Sequence, residues 1–207
     1  MDRLSARETI LSELRRGALD APLPAVWSGG PGTGLTARFM ERAADVGAEV
    51  HLIGPADLPL AIVSAVMEAA EREVIIWDDP LLDEPAHALR RAGIRVISGE
   101  AETRAAVAAS GFGLTTVDHA IAETGTLVLG SAPGRSRAAS LLPARHLAVL
   151  PEARIRADLF ALMRELGGPL PSALTFITGP SRTADIGLTP VRPAHGPMTV
   201  TIFVVPA

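Results

Sequence analysis

No cysteine occurs among the 207 residues. That excludes disulfides, thiolate nucleophiles, Cys-x-x-Cys redox chemistry and any iron–sulfur cluster held by this chain's own thiolates. Lysine is absent too, since all nineteen basic residues are arginine, and with it go Schiff-base chemistry and a Walker-type phosphate lysine. Tyrosine is also missing. Neither charge sign dominates: the formal net charge is −4 and the pI about 5.7, so there is no general electrostatic footprint for nucleic acid. Long apolar runs are lacking. The longest, residues 58–67, is interrupted by Pro59 and Ser64 and falls short of a membrane span. The opening residues, Met1-Asp2-Arg3-Leu4-Ser5, are charged and lack the apolar core of a signal peptide. A cytoplasmic protein is the expectation.

What is present suits one α/β domain with a sizeable core. Ser5-Ala6-Arg7-Glu8 is a capping box, the serine taking an orphan amide while the glutamate reaches back to the cap. It opens a helix carrying Ile10, Leu11 and Leu14 on one face and stopped by Gly17. A Pro/Gly-rich connector over 22–34 follows, the sharpest break in composition. Residues 1–34 thus read as an arm and 35–207 as the domain. Within the connector, Ser28-Gly29-Gly30-Pro31-Gly32-Thr33-Gly34 looks superficially like a phosphate loop. It has no lysine and no strong strand before it, so it reads as linker.

From residue 35 helices and strands alternate. Helices are expected at 35–46, 56–71, 84–92 and 100–109, and Val/Ile-rich strands at 49–53, 73–77 and 94–97. Repeated units of this length predict a mostly parallel sheet covered on both faces. After Gly111 the character changes. Strands at 114–116, 120–123 and 126–129 lie close together with Gly-containing breaks, which predicts a hairpin or doubled-back sheet. Further strands are expected at 147–150, 174–178 and 198–205, with a helix at 155–166.

Polar residues inside this second half mark the candidate sites. Asp118, His119, Glu123, Thr124 and Thr126 sit in an otherwise apolar run, and burying them is costly unless they bond one another or a ligand. His119 and Glu123 are four residues apart, an offset that puts them on one side of either a helix or a strand. Glu123 is the candidate nucleophile or base and His119 its proton or orientation partner. The alternative is a polar network that fixes strand register. Gly125 lets a ligand or another backbone approach closely. A second candidate is the turn Gly130-Ser131-Ala132-Pro133-Gly134-Arg135-Ser136-Arg137, whose amides and guanidinium groups suit an anion; the alternative is a solvated loop. A third, Gly179-Pro180-Ser181-Arg182-Thr183-Ala184-Asp185, also follows a strand, where ligands collect in open α/β sheets, though ordinary turn chemistry explains it as well. No metal is expected, because the five histidines, His51, His87, His119, His146 and His195, lack ligand spacing.

These blocks carry a family resemblance. Residues 116–129, Pro133-Gly134-Arg135, Leu141-Leu142-Pro143 and His146, then residues 173–186 with the run Gly179-Pro180-Ser181-Arg182-Thr183-Ala184-Asp185-Ile186, and His195-Gly196-Pro197 resemble the lactate-utilisation C family (LutC/YkgG, LUD domain). The match lies mainly in residues 111–205. The resemblance implies a Rossmann-like, mostly parallel sheet with an inserted antiparallel hairpin, as in the NagB/RpiA/CoA-transferase superfamily. It implies a part in oxidising L-lactate to pyruvate beside partner subunits that carry iron–sulfur clusters, a division of labour that a Cys-free chain fits. In that setting Arg135, Arg137 and Arg182 would clamp a small carboxylate or phosphate-type anion. Ser131, Gly134, Ser181, Thr183 and Asp185 would line its site, and Glu123, His119, Thr124, Gly125 and Thr126 would complete it. Glu123-Thr124-Gly125 also resembles the Glu-Asn-Gly block of CoA-transferases, whose glutamate forms a thioester with CoA; here Thr124 replaces the asparagine. A stand-alone acyl or CoA transferase using Glu123, and a ligand-free assembly scaffold, are the competing readings.

Overall fold

The computed structural model describes residues 6–16, 32–98, 104–167, 170–181 and 196–206. Their helices are α1 (Ala6–Arg16), α2 (Leu35–Asp45), α3 (Leu58–Glu68), α4 (Asp83–Arg91), α5 (Arg104–Ala109), α6 (Ala138–Leu141) and α7 (Leu159–Glu165). The strands are β1 (Glu49–Leu52), β2 (Glu73–Ile76), β3 (Arg95–Ser98), β4 (Phe112–Thr116), β5 (His119–Ile121), β6 (Thr126–Gly130), β7 (Arg145–Pro151), β8 (Ile155–Arg156), β9 (Leu174–Ile177) and β10 (Thr199–Val205).

The main sheet runs β1-β10-β7-β4-β2-β3, and every pairing in it is parallel. All five residues of β4 are buried, and β1 at the margin is mostly exposed. A central parallel strand covered on both faces reads as a continuous apolar run, which is why these strands lack alternation. Ile75, Leu114, Leu147 and Ile202, from four neighbouring strands, are fully buried. Helices α3 and α4 pack on each other, α6 lies on β4, and α2 covers β1 and β8. Pro59 fits the first turn of α3, where an amide would have no helical partner.

The second sheet, β8-β5-β6-β9, grows from the antiparallel hairpin of β5 and β6. Ala120, Leu127 and Leu129 face the main core. Ile121 and Val128 face outward and are covered by Leu162, with Leu166 and Leu174 beside them.

Two sequence expectations are corrected. The strand expected through 123 ends at Ile121, and 122–125 form the turn. The amides of Ala122 and Glu123 there bond the carbonyls of Arg156 and Ala157. The helix expected over 155–166 is shorter, because Ile155 pairs with Ala120 in β8. Asp158 then caps α7, its Oδ1 accepting the Ala161 amide at 2.7 Å.

Strand β2 has β3 on one flank and β4 on the other. The chain therefore reverses direction across the sheet between β2 and β4. The crevice beyond the C-terminal ends of such a strand pair is where open α/β sheets collect ligands. Here it is framed by Trp77, Asp78 and Asp79 after β2, and by Val117 and Asp118 after β4.

Candidate functional site

The loop after β6 closes over this crevice. Asp78 donates its amide to the Gly134 carbonyl at 2.9 Å, and the Trp77 indole donates to the Ser136 carbonyl at 2.8 Å. Gly134 has φ 75°, and a Cβ there would lie 2.7 Å from that of Asp78, so only glycine lets the loop dock so closely.

One nitrogen of Arg135 is committed to this arrangement, while its Nε is covered without a partner among the described residues. Its Nη2 donates to Asp118 Oδ1 at 2.8 Å and to Thr116 Oγ1 at 3.0 Å, and Asp79 Oδ2 lies 3.8 Å away. The guanidinium sits 4.5 Å from the centre of the Trp77 ring, a favourable cation–π placement. Thr116 in turn donates to Asp79 Oδ2 at 2.8 Å, and Asp118 Oδ2 accepts the Gly130 amide at 2.7 Å. The charge of Arg135 is thus matched by two carboxylates, and the group locks the ends of β2, β4 and β6 together.

Two adjoining hollows lie beside the lock and share Ser131, Ala132, Arg135 and Pro171. The outer one is an open cleft of about 750 Å³ edged by Ser136, Arg137, Leu170 and Ser172. Arg137 is exposed, and no hydrogen bond or ion pair engages its guanidinium among the described residues. The smaller hollow is a half-open chamber of about 220 Å³ that adds Asp118, His119, Gly130, Leu166 and Leu174. His119 Nδ1 is sealed off without a partner. Nearby, the Glu165 carboxyl is held below its ordinary range by its hydrogen bond to Arg156 first and by the charge of Arg156 after that.

The small sheet divides the sequence-derived candidates between its two ends. Asp118, His119, Ser131, Arg135 and Arg137 gather at the crevice, with Gly134 docked on Asp78 beside them. Glu123, Thr124, Gly125 and Thr126 lie at the hairpin turn, about 13 Å away along the four steps of β6. His119 and Glu123 do not share a bond, because the extended backbone that would align them stops at Ile121. Thr124, Thr126 and Thr178 form a hydroxyl chain with O···O distances of 2.7 and 2.9 Å. Gly125, at φ 65°, faces the backbone of Arg42 and Ala43 in α2, so the close approach it permits is to another backbone. Ser181 belongs to this same end and donates its amide to the Pro197 carbonyl at 2.9 Å. Arg182, Thr183, Asp185 and His195 lie outside the described residues.

Trp77, Asp78, Asp79 and Thr116 belong to the site and escaped the sequence reading. The available signal was Trp-Asp-Asp-Pro directly after a Val/Ile strand, with polar residues at a strand's C-terminal end. Among the described residues no group of three or more His, Asp or Glu is gathered for a metal, and no helix is long and apolar enough to cross a membrane.

Comparison with known proteins follows the same outline. The LUD domain family model matches residues 36–205. A "Lactate utilization protein C" from Halalkalibacterium halodurans is 36% identical over 159 residues, 72% of this chain and 69% of that protein. A protein of the same name from Shouchella clausii is 29% identical over 83% of this chain and 79% of its own length. The crystal structure of a DUF162 family protein from Deinococcus radiodurans superposes with a TM-score of 0.60 at 28% identity, over 83% of this chain and 96% of that one. With the family model spanning nearly the whole domain, this chain belongs to the LUD domain family.

Proposed function

We propose that the chain is a LutC-type subunit serving L-lactate utilisation in the cytoplasm, and that it binds a small carboxylate in the cleft at Arg137. It would work beside partner subunits that carry the iron–sulfur clusters. The observation that carries this reading is the 36% identity to a lactate utilization protein C over 72% of the chain. The geometry supports the ligand class. A planar guanidinium matches a carboxylate through two parallel hydrogen bonds, and Ser131, Ser136 and Ser172 line the same cleft. Arg135, bonded to Asp118 and Thr116, supports the wall and leaves the ligand to Arg137. A contribution from Arg182 remains part of the proposal.

Deleting the gene should abolish growth on L-lactate as sole carbon source and spare growth on glucose. The Arg137→Ala gene should restore growth poorly, and the purified variant should bind L-lactate or pyruvate about tenfold more weakly by calorimetry, the loss expected for one charge-assisted hydrogen bond. Normal growth of the deletion strain on L-lactate would remove the pathway assignment. The transferase reading draws little from the geometry, since Glu123 lines neither the cleft nor the chamber. Incubation with acetyl-CoA followed by borohydride should leave Glu123 unmodified in the mass spectrum.

A further inference from the structure

The chamber beside the cleft differs from it in chemistry. Its walls are largely apolar, with Ala132, Leu166, Pro171 and Leu174. Its one basic guanidinium, Arg135, is already paired with Asp118 and close to Asp79. A ligand carboxylate entering there would face Asp118 beside a cation that is already matched, which is unfavourable where water is partly excluded. The ligand's charged end therefore stays outside with Arg137.

His119 supplies the polar contact. A buried ring nitrogen without an acceptor is better left as a lone pair than as an orphaned N–H. With Nδ1 sealed, Nε2 is the ring nitrogen left to meet the chamber, and the tautomer that spares Nδ1 offers a donor there. We infer that the chamber receives the rest of a 2-hydroxy or 2-oxo acid: the C2 oxygen accepts from His119 Nε2, and an aliphatic side chain longer than methyl lies against Leu166, Pro171 and Leu174. This rests on the carboxylate reading of the cleft and extends its ligand class beyond lactate. A water molecule occupies about 30 Å³ in the liquid and a methyl group is similar in size. A chamber of about 220 Å³ therefore leaves most of its volume unfilled around lactate.

The test is calorimetry on the full chain with L-lactate, 2-hydroxybutyrate and 2-hydroxyhexanoate, with hexanoate as the member lacking a C2 oxygen and 2-hexanol as the member lacking the charge. Affinity should rise about fourfold per added methylene, and 2-hydroxyhexanoate should exceed hexanoate. His119→Ala should erase that last advantage, so that 2-hydroxyhexanoate and hexanoate bind alike. Leu174→Phe, or Ala132→Leu at an exposed position, should flatten the dependence on chain length. Arg137-dependent binding of lactate with a flat series overturns the chamber and keeps the cleft. Failure of every acid, with 2-hexanol still bound in a His119-dependent way, overturns the cleft and keeps the chamber. Binding of none of these overturns both.

Discussion

At the scale of single residues, two covered polar groups carry stability, one at the site and one within the main sheet. Asp118 and Arg135 are each about four-fifths covered. Asp118→Ala would leave a covered guanidinium short of its partner and the Gly130 amide short of its acceptor. A cost of about 2–4 kcal/mol is expected, readable as a lowered denaturant midpoint. His146 is the second. It is fully buried on β7, bonded through Nε2 to Thr115 Oγ1 at 2.9 Å, and burial lowers its pKa to about 4. The folded chain therefore holds it neutral, while the unfolded chain takes up a proton as pH falls through the ordinary value of about 6.5. Its contribution is whole above that pH and is lost progressively toward pH 4, by about 3 kcal/mol in all. His146→Gln keeps a polar group beside Thr115 and does not titrate. Its stability should fall less steeply between pH 6.5 and pH 4 than that of the wild type, as measured by urea unfolding at stepped pH.

At the scale of elements, the turn after β5 and the cap before α7 decide where the small sheet sits. Gly125→Ala adds a methyl against the backbone of Arg42 and Ala43 at a left-handed φ. It should cost more than about 2 kcal/mol and lower the melting temperature. Asp158→Ala removes one cap bond, worth about 1 kcal/mol, and should show as faster amide exchange in α7. These elements also mark the limit of sequence reading. The alternating half was legible because each strand is a short Val/Ile run and each helix carries Ala, Glu and Arg. Strand β8 was not, because two residues pairing with Ala120 and Ile121 leave no period to detect. The crevice was half legible. His119 stood out as a polar group in an apolar run and Arg135 as a charge in a Gly/Ser/Pro turn, but whether Arg135 serves a ligand or Asp118 is set by partners 17 and 19 positions away that meet it only in the fold, and no local pattern reports that. Gly125 was read correctly as a point of close approach, while what approaches it is α2, a tertiary fact.

At the scale of the whole molecule, the cleft is held by covalently distant but rigid parts: the end of β2 through Asp78 and Trp77, the end of β4 through Thr116, and the loop after β6. Ligand binding should therefore alter the backbone little. A crystal or NMR comparison with and without bound L-lactate should show shifts near Arg137 and Ser131 and an unchanged position for Trp77. The order β1-β10-β7 carries a consequence for the chain as it is made. Thr201 meets Glu49 across 152 positions of sequence, so β1 leaves the ribosome long before its neighbour exists. At synthesis rates of about 5–20 residues per second, both it and β7 wait, β1 for roughly eight to thirty seconds, with open edges that invite pairing with another nascent chain. A polypeptide stopped before Thr199 should accumulate as insoluble material, and the complete one should lean on chaperones during translation more heavily than a protein whose sheet is assembled in the order of its strands.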